Sequence, residues 1–539
     1  MTASDSATPT SPGRVRIRLE PLGIELDLPR GGSLVAGLAA HGFEFPCGGV
    51  GECGGCQVRV LSGSLPVTAA DAEILTVDEL AQGWRLACQA RADEPLVVEC
   101  GQWHMEILAD TEVSLAQPPS KTKIKTNKIA IDLGTTTIAA QLIDAATGDV
   151  LGVETALNPQ AAFGSDVMSR IRAAIEGRDL TTPLRAALGE IVTRLVRGRE
   201  AHVAEVLLVG NTAMHHLFCG LDVEPLSHVP FASPQMGEQR FTARALGWDL
   251  NSHCVIRFAR CIGGFVGSDI LAGIVAAGIA QNDDLTALVD LGTNGEIAIG
   301  NRHGIVCAST AAGPAFEAGA IRMGMRAVTG AIAHVALDGD ELRPTVLGDA
   351  APRGICGSGL VDAVAAGLGI GAILANGRVA DGTKIFPVAP PVVLYQSDIR
   401  ELQLAKGAIA AGFRLLLKRL GAIQNSAEAV AVKGHDFSRA VRTAEKERAL
   451  APEGLRSLRA IHLAGAFGNY VQIESALRIG LLEAPHALIH AAGNTALRGA
   501  KMLLIGGEPL LPPIEHVSLA ADPAFQDEFA ACMVFPELV

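Results

Sequence analysis

Residues 128–151 read KIAIDLGTTTIAAQLIDAATGDVL, and residues 287–310 read ALVDLGTNGEIAIGNRHGIVCAST. Each stretch consists of apolar runs separated by short turns that contain glycine, which predicts three strands joined by hairpins. The two stretches can be laid over each other with Asp132 on Asp290. This repeat predicts that the larger part of the chain consists of two related α/β halves.

A second pair of segments supports the same division. Residues 206–217, VLLVGNTAMHHL, and residues 461–472, IHLAGAFGNYVQ, are each an apolar strand, a glycine turn and the start of a helix. Two such halves predict two lobes with a cleft between them. Ligands bind in clefts of this kind, at the carboxyl ends of strands.

The turn that follows each aspartate has the composition of a phosphate-binding loop. Glycine lets the backbone approach a phosphate closely, while threonine hydroxyls and backbone N–H groups hold phosphate oxygens. The aspartate suits Mg²⁺, which takes oxygen ligands and keeps much of its water. One DLGT segment alone is weak evidence, but two copies that each start an apolar hairpin are a strong signal. Residues 377–384, GRVADGTK, are not a Walker A loop, because the lysine comes one position late.

These motifs resemble those of the actin, Hsp70 and sugar-kinase superfamily of ATPases. The resemblance implies that Asp132 and Asp290 are the catalytic residues at two phosphate loops, and that ATP and Mg²⁺ are bound there. It also implies that residues 463–470, LAGAFGNY, contact adenosine and that residues 493–504, GNTALRGAKMLL, form the helix connecting the lobes. The implied nucleotide-binding residues are Gly134, Thr135, Thr136, Gly292, Thr293, Asn294, Gly295, Gly465, Ala466 and Phe467.

A cysteine cluster marks a separate unit near the N-terminus. In PCGGVGECGGCQVRV (46–60), Cys47, Cys53 and Cys56 are spaced C-x5-C-x2-C, and Cys88 follows in RLACQ. Four thiolates are the ligand set of a [2Fe–2S] cluster, and the glycines allow the loop to wrap around it. Structural zinc is the alternative, but zinc ribbons favour two C-x2-C knuckles and this sequence has one.

The N-terminal unit resembles plant- and adrenodoxin-type [2Fe–2S] ferredoxins, with the adrenodoxin-like gap of five residues. VRIRLEP, IELDL and QVRVLSG are predicted strands, SLVAGLAAHG is a predicted helix capped by Ser33, and DAEILTVDEL is a predicted helical stretch. This order predicts a small mixed sheet with a helix across it, which the resemblance identifies as a β-grasp. Cys100 is outside the cysteine pattern and is predicted to be a buried, effectively apolar residue.

Length, composition and charge narrow the class of protein. The chain has 539 residues, 49% of them hydrophobic, and a net charge of −13, which predicts several domains and argues against nucleic acid as a partner. The polar N-terminus lacks the pattern of a signal peptide, and the eleven cysteines are odd in number. We therefore expect a cytoplasmic protein with reduced thiols. No apolar stretch reaches the length of a membrane span.

The predicted fold class is a multidomain α/β and α+β protein. It combines a β-grasp [2Fe–2S] ferredoxin domain with a two-lobed, RNase H-like ATPase. The predicted segments are a disordered N-terminus (1–13), the ferredoxin domain (14–106), a linker (107–127), ATPase lobe I (128–285) and ATPase lobe II (286–539).

A ferredoxin fused to such an ATPase resembles the reductive activators of corrinoid proteins, and GNTAMHHL, TAAGPAFEAGA and RGICGSGLVDAV match that family as well. The resemblance implies ATP-dependent return of an inactive corrinoid from Co(II) to Co(I) through the cluster. A corrinoid protein and a low-potential electron donor are the implied partners, and a homodimer is compatible with the resemblance. Ser309, at the end of the second hairpin, is our first choice for a residue that faces the cobalt.

Two other functions stay open at this point. The chain could donate low-potential electrons to a radical dehydratase or reductase, although such activators bind a [4Fe–4S] cluster through cysteines of the ATPase itself. It could also be a non-catalytic redox sensor, which two intact phosphate loops argue against. His215 and His216 are adjacent on a predicted helix and are expected to pack or cap rather than to bind metal.

Overall fold

The computed structural model describes residues 13–20, 24–39, 43, 45, 51, 56–100, 126–164, 166–292, 294–431 and 458–537. Cys47, Cys53 and Thr293 lie outside these residues. So do the first twelve positions and nearly all of the predicted linker. Within the described part, the chain forms one five-stranded sheet, two six-stranded sheets and several smaller ones.

The N-terminal unit is a five-stranded mixed sheet with short helices against it. Its strands are β1 (Arg14–Glu20), β2 (Ile24–Pro29), β3 (Gly32–Ser33), β4 (Gln57–Ser62), β5 (Trp84–Leu86), β6 (Arg91–Ala92) and β7 (Leu96–Cys100), and its helices are α1 (Leu34–Ala39), α2 (Ala69–Ile74) and α3 (Val77–Ala81). The strand order is β2-β1-β7-β4-β5, in which β1 and β7 run parallel. Alternation along β1 buries Val15, Ile17 and Leu19, as its sequence predicts.

The predicted helical stretch DAEILTVDEL is two helices rather than one. Leu75 is extended between them, with φ −92° and ψ 144°. Thr68 and Thr76 each form a capping box, in which the threonine side chain accepts from the N3 backbone and the N3 carboxylate accepts from the cap residue's N–H. The second threonine therefore starts a new helix where hydrophobic periodicity alone suggests continuation.

The first half of the larger part of the chain is built on a six-stranded sheet. Its strands are β8 (Asn127–Leu133), β9 (Thr137–Asp144), β10 (Val150–Leu157), β11 (Val203–Gly210), β12 (Gln239–Thr242) and β13 (Val255–Phe258), and its helices are α4 (Val167–Ile175), α5 (Thr181–Val196), α6 (Thr212–Cys219), α7 (Ala243–Leu246) and α8 (Ser268–Ala276). A short 3₁₀ helix at Pro159–Phe163 follows β10. Apolar side chains of α5 and α6 cover one face of the sheet.

The second half has its own six-stranded sheet and two small sheets. Its strands are β14 (Leu285–Leu291), β15 (Gly295–Asn301), β16 (Gly304–Thr310), β17 (Ala331–Asp338), β18 (Glu341–Val346), β19 (Gly354–Ile355), β20 (Ile385–Ala389), β21 (Val392–Tyr395), β22 (Leu458–Ala464), β23 (Ile489–Gly493) and β24 (Ile514–His516). Its helices are α9 (Gly357–Gly369), α10 (Gln396–Ala431), α11 (Gly465–Tyr470), α12 (Ile473–Arg478), α13 (Thr495–Gly506) and α14 (Phe525–Met533). Among the residues described, no helix has both the length and the apolar character needed to cross a membrane.

The two large sheets repeat each other strand for strand over their central part. The first is ordered β10-β9-β8-β11-β13-β12, and the second is ordered β23-β22-β14-β15-β16-β24. In each, an antiparallel three-stranded meander is followed by strands parallel to its first strand. The predicted internal repeat is thereby confirmed, and it brings Asp132 and Asp290 to the ends of equivalent strands.

Helices α8 and α13 pack against each other between the two sheets. Ala272 on α8 and Leu497 on α13 pack against the first sheet, while Ile270 on α8 packs against the second. The helices approach so closely that a Cβ placed on Gly499 would lie 1.9 Å from the Ala272 carbonyl oxygen. Only glycine, which has no Cβ, fits at this contact between the two helices.

We predict that Gly499→Ala destabilises the two halves by about 1–3 kcal/mol, because the added methyl group must push the two backbones apart. Gly506→Ala is the control, since Gly506 ends the same helix and has open space around its Cα. There, alanine should be neutral or stabilise by up to about 1 kcal/mol through helix propensity. Denaturant unfolding followed by circular dichroism measures both. Equal effects of the two substitutions would contradict the close crossing.

Candidate nucleotide and iron–sulfur sites

The first hairpin is held in a tight turn behind the aspartate. The Gly134 N–H donates to the Thr137 carbonyl oxygen (3.0 Å), and a Cβ on Gly134 would lie 2.7 Å from that same oxygen. Asn158 Nδ2 donates to the Gly134 carbonyl oxygen (2.9 Å), and Asn211 Nδ2 donates to Thr135 Oγ1 (2.9 Å). The turn is thus fixed from outside by two asparagines, which leaves it rigid where a phosphate would bind.

The second hairpin has a turn that is one residue shorter, since Leu291 pairs with Gly295 whereas Leu133 pairs with Ile138. The Gly292 N–H donates to the Asn294 carbonyl oxygen (3.1 Å), and Gly295 begins β15. Gly465, the first residue of α11, has φ +82°, and a Cβ there would lie 2.5 Å from Asp290 Oδ1. Gly465 is therefore glycine for two reasons, its left-handed backbone and its close approach to the Asp290 carboxylate.

Buried carboxylates from three strands and one helix lie close enough to influence one another's ionisation, at the place where the sequence predicts the cleft. Burial raises the pKa of Asp132 to about 6, although a bond from Asn494 opposes the shift. Burial and then the charge of Asp132 raise the pKa of Asp290 to about 7. Burial and then the charge of Asp290 raise the pKa of Asp269 to about 8. Burial, followed by the charges of Asp269 and Asp290, raises the pKa of Glu296 well above its usual value. Such mutual repulsion favours a bound cation.

The acidic cleft fits a cation that is held through water. Among the described residues, no group of three or more His, Cys, Asp or Glu side chains could hold a metal ion directly. Mg²⁺ commonly keeps several waters and takes only one or two protein carboxylates together with substrate phosphates. Asp132 and Asp290 each lie next to the last residue of the strand that leads into a hairpin turn.

Asn494 connects the first hairpin to the helix between the sheets. It is the N-cap of α13, and its Oδ1 accepts from the Leu497 N–H (2.8 Å). Its Nδ2 donates to Asp132 Oδ2 (2.8 Å). One side chain thus caps the helix and orients the carboxylate of the first phosphate loop.

The predicted adenosine segment lies beside the second hairpin, because β22 and β14 run parallel with Ala464 opposite Asp290. Phe467 in this segment is 8% exposed, and its ring stacks on Phe316 with centroids 4.6 Å apart. Most of the Phe467 ring is therefore covered by other side chains of the second half. A nucleotide at this segment would contact mainly the backbone around Gly465. The side chain of Ala466 lies outside the part that the structure describes.

Two of the predicted cluster ligands lie together in the N-terminal unit. Cys56 and Cys88 are 2% and 9% exposed, and a hydrogen bond with Cys56 lowers the pKa of Cys88 to about 7 against the effect of burial. Gln89 Nε2 also donates to Cys88 Sγ (3.6 Å). A shared proton between buried thiols, with an amide directed at sulfur, suits thiolate ligands of iron. Cys47 and Cys53 lie outside the described residues, so their positions stay predictions.

The remaining sequence candidates have defined surroundings. Cys100 is fully buried, as predicted, and burial raises its pKa to about 12. His215 and His216 are fully buried too; His216 Nε2 lies 2.8 Å from Ser233 Oγ, and packing rather than metal binding accounts for them. The Ser309 hydroxyl donates to Glu296 Oε1 (3.2 Å), which places Ser309 at the edge of the acidic cluster.

Sequence reasoning missed Asp269, Glu296 and Asn494 as members of the site. Glu296 is separated from Asp290 by the turn and sits opposite it in the β14–β15 register, which the hairpin pattern could have indicated. Asp269 is a carboxylate in the first turn of the apolar helix SDILAGIVA, a conspicuous departure from its surroundings. Asn494 carries no comparable signal, because its contact with Asp132 joins residues far apart in the sequence.

Comparison with known protein families divides the chain into three matching segments. Residues 17–93 match a 2Fe-2S iron-sulfur cluster binding domain. Residues 128–282 match the RACo middle region, and residues 284–437 and 446–538 match the C-terminal domain of RACo, the ASKHA domain. A ferredoxin-type domain followed by an actin/Hsp70/sugar-kinase-like domain is the fold class that the sequence predicted, and it is confirmed.

Similar proteins span most of the chain. It is 32% identical over 455 residues to the corrinoid activation enzyme RamQ of Eubacterium limosum, covering 76% of this chain and 70% of that protein. It is 25% identical over 442 residues to the [Co(II) methylated amine-specific corrinoid protein] reductase of Methanosarcina barkeri, covering 74% and 75%. The solved structure of a reductive activator for corrinoid,iron-sulfur protein shares the fold, with TM-score 0.64, 24% identity and coverage of 97% and 98%. This chain belongs to the RACo family, the reductive activators of corrinoid proteins.

Proposed function

We propose that this protein uses ATP to reduce a corrinoid protein from Co(II) to Co(I), with the electron supplied through its own [2Fe–2S] cluster. The observation that carries the proposal is that one chain contains a buried thiol pair in a ferredoxin unit and two hairpins whose buried carboxylates, Asp132 and Asp290, are close enough for one to raise the pKa of the other. Relatives described as a corrinoid activation enzyme and a Co(II) corrinoid protein reductase support the substrate class. A low-potential donor would reload the cluster, and a homodimer stays a prediction.

In the ferredoxin unit, Cys47, Cys53, Cys56 and Cys88 would hold the cluster. Bound there, it supplies a one-electron carrier of low potential, about −400 mV in plant-type ferredoxins. The protein contributes burial of the thiols and the donor from Gln89 to Cys88. Both set the potential of a bound cluster, burial by limiting water and the amide by stabilising charge on sulfur.

In the cleft, the two hairpins would hold the phosphates of ATP. Backbone N–H groups and hydroxyls of the loops would contact phosphate oxygens, and Asp132 with Asp290 would position Mg²⁺ through water. The residues proposed for this role are Gly134, Thr135, Thr136, Gly292, Thr293, Asn294 and Gly295. Asp269 faces both aspartates, and we assign it the role of accepting a proton from the attacking water. Its raised pKa, about 8, suits a general base that works near neutral pH.

Ser309 remains our candidate for the residue that faces the cobalt. Its hydroxyl donates to Glu296 and so lies near the acidic cluster, at the end of the strand that follows the second hairpin. Contact with a corrinoid would require this hydroxyl to give up its bond to Glu296. Such an exchange would connect the partner's cofactor to the nucleotide cleft through one strand.

We predict that Cys88→Ala removes the visible absorption and the electron paramagnetic resonance signal of the cluster and leaves ATP hydrolysis unchanged. The reason is that Cys88 is a ligand and the cluster lies in a separate unit from the cleft. Cys100→Ala is the matched control, because Cys100 is also buried in the ferredoxin unit but lies outside the ligand set. Iron analysis should give two irons per chain for the wild type and for this control. Zinc, or four irons, would contradict the assignment.

We predict that a corrinoid protein in the Co(II) state stimulates ATP hydrolysis more than its methylated form does, since the methylated form needs no rescue. Linkage then requires the Co(II) partner to change the affinity for a non-hydrolysable ATP analogue by about 5–150-fold, the usual range of such coupling. Calorimetry and a phosphate-release assay measure the two effects.

The variants in this assay separate binding from chemistry. Asp290→Asn should lose hydrolysis and weaken nucleotide binding, whereas Asp269→Asn should lose hydrolysis and still bind the analogue. Ser309→Ala should hydrolyse ATP alone at the wild-type rate and lose the response to Co(II). If hydrolysis ignores corrinoid protein in every cobalt state, the proposed function is wrong.

A further inference from the structure

The ferredoxin unit contacts the second ATPase half through a stacked arginine. The guanidinium carbon of Arg353 lies 3.3 Å from the centroid of the Trp84 ring on β5. Its Nη2 donates to Gln57 Oε1 (3.1 Å), the first side chain of β4. A guanidinium stacked on indole and bonded at its edge is a specific contact, since it uses both the face and the donors of the arginine.

Charges on the ferredoxin unit are arranged to receive this cation. Burial lowers the pKa of Arg353, while the charges of Glu79 and Glu99 act in the opposite direction and partly offset that effect. Arg59 is paired with Glu99 (3.0 Å), and its guanidinium lies 5.9 Å from the same indole centroid. Within the part of the chain that is described, Arg353 Nε is buried without a hydrogen-bond partner. A buried donor left unpaired weakens the contact, so this surface is suited to reversible docking.

The contact adjoins the proposed cluster ligands. Gln57 directly follows Cys56 in the sequence, and β5, which carries Trp84, leads to Cys88. Arg353 therefore contacts two side chains, Gln57 and Trp84, that are close in sequence to the proposed ligands Cys56 and Cys88. A positive charge there favours the reduced cluster, which carries one more negative charge than the oxidised one.

On the ATPase side, Arg353 is joined to the nucleotide cleft by packed backbone. It immediately precedes β19, which leads into α9 at Gly357. A Cβ on Gly357 would lie 1.7 Å from the Phe316 carbonyl oxygen, so these backbones are in direct contact. Phe316 in turn stacks on Phe467 of the adenosine segment. These contacts form a continuous path of packed groups from that segment to the strand that follows Arg353.

The ferredoxin unit also contacts the first half. Helix α1 lies against the 3₁₀ helix at Pro159–Phe163, whose N-cap, Asn158, donates to Gly134 in the first phosphate turn. One unit thus touches both halves, and each contact leads to a phosphate or adenosine segment. Rotation of one half against the other must change at least one of the two contacts.

We propose that Arg353 is the docking residue of the ferredoxin unit and that nucleotide-driven movement of the halves releases it, which lowers the reduction potential of the cluster. The inference rests on the proposed [2Fe–2S] site and on ATP binding in the cleft. Release would make the cluster electron more reducing when ATP is bound. By linkage, reduction of the cluster would favour docking.

The test is a redox titration of the full chain, with its cluster, followed by electron paramagnetic resonance and without any corrinoid protein. For the wild type, Mg²⁺ with a non-hydrolysable ATP analogue should lower the midpoint potential. Arg353→Gln should have a lower midpoint potential than the wild type before nucleotide is added and should not respond to it. Arg343→Gln is the control, because it removes the same charge from an exposed arginine of the same half. This control should behave as the wild type.

The proposal is overturned if Arg353→Gln keeps the wild-type potential, if it keeps the full nucleotide response, or if the wild type does not respond. Should Arg353→Gln fail to fold or to load its cluster, Arg353→Lys takes its place, because lysine keeps the charge but loses the planar stack. That variant should lose at least half of the nucleotide response, and a full response overturns the proposal. If the protein does not produce Co(I) in the corrinoid assay, the redox titration can still be carried out and interpreted. A paramagnetic resonance signal of another cluster type would show that the proposed [2Fe–2S] site is wrong.

Discussion

The burial of several carboxylates close to one another in the cleft is the constraint on which the rest of the structure depends. Asp132 and Asp290 end equivalent strands of two repeated sheets, and each raises the cost of ionising the groups beside it. In a site with little water such repulsion is strong, and a divalent cation with phosphates is the natural way to offset it. We therefore expect the relative position of the two halves to depend on what the cleft binds.

The two helices between the sheets, α8 and α13, connect the carboxylates of the cleft to both halves of the molecule. Asn494 caps α13 and binds Asp132 with the same side chain, and α13 crosses α8 where Gly499 admits direct backbone contact. A change at the first phosphate loop is thus transmitted to a rigid pair of helices. Lowering the reduction potential of the electron donor by 100 mV costs about 2.3 kcal/mol. This free energy lies within the usual range of coupling between two binding sites.

The sequence alone predicted the parts of this molecule that are encoded locally. Repeated DLGT hairpins indicated the two halves, and the cysteine spacing together with glycine indicated the ferredoxin unit. The break at Leu75 was missed because a second capping threonine overrides continuous helical periodicity. Asn494 and Arg353 were missed for another reason, since their partners, Asp132 and Trp84, are distant in sequence and meet only when separate units pack.

The central claim is that ATP in the cleft makes the cluster electron available to a corrinoid. The most direct measurement is anaerobic absorption spectroscopy of a Co(II) corrinoid protein mixed with this chain and a low-potential reductant, with and without Mg-ATP. The account predicts that the Co(I) band grows with Mg-ATP and stays near the baseline without it. A Co(I) band that grows equally without ATP, or that never forms with any corrinoid protein tested, would contradict the account.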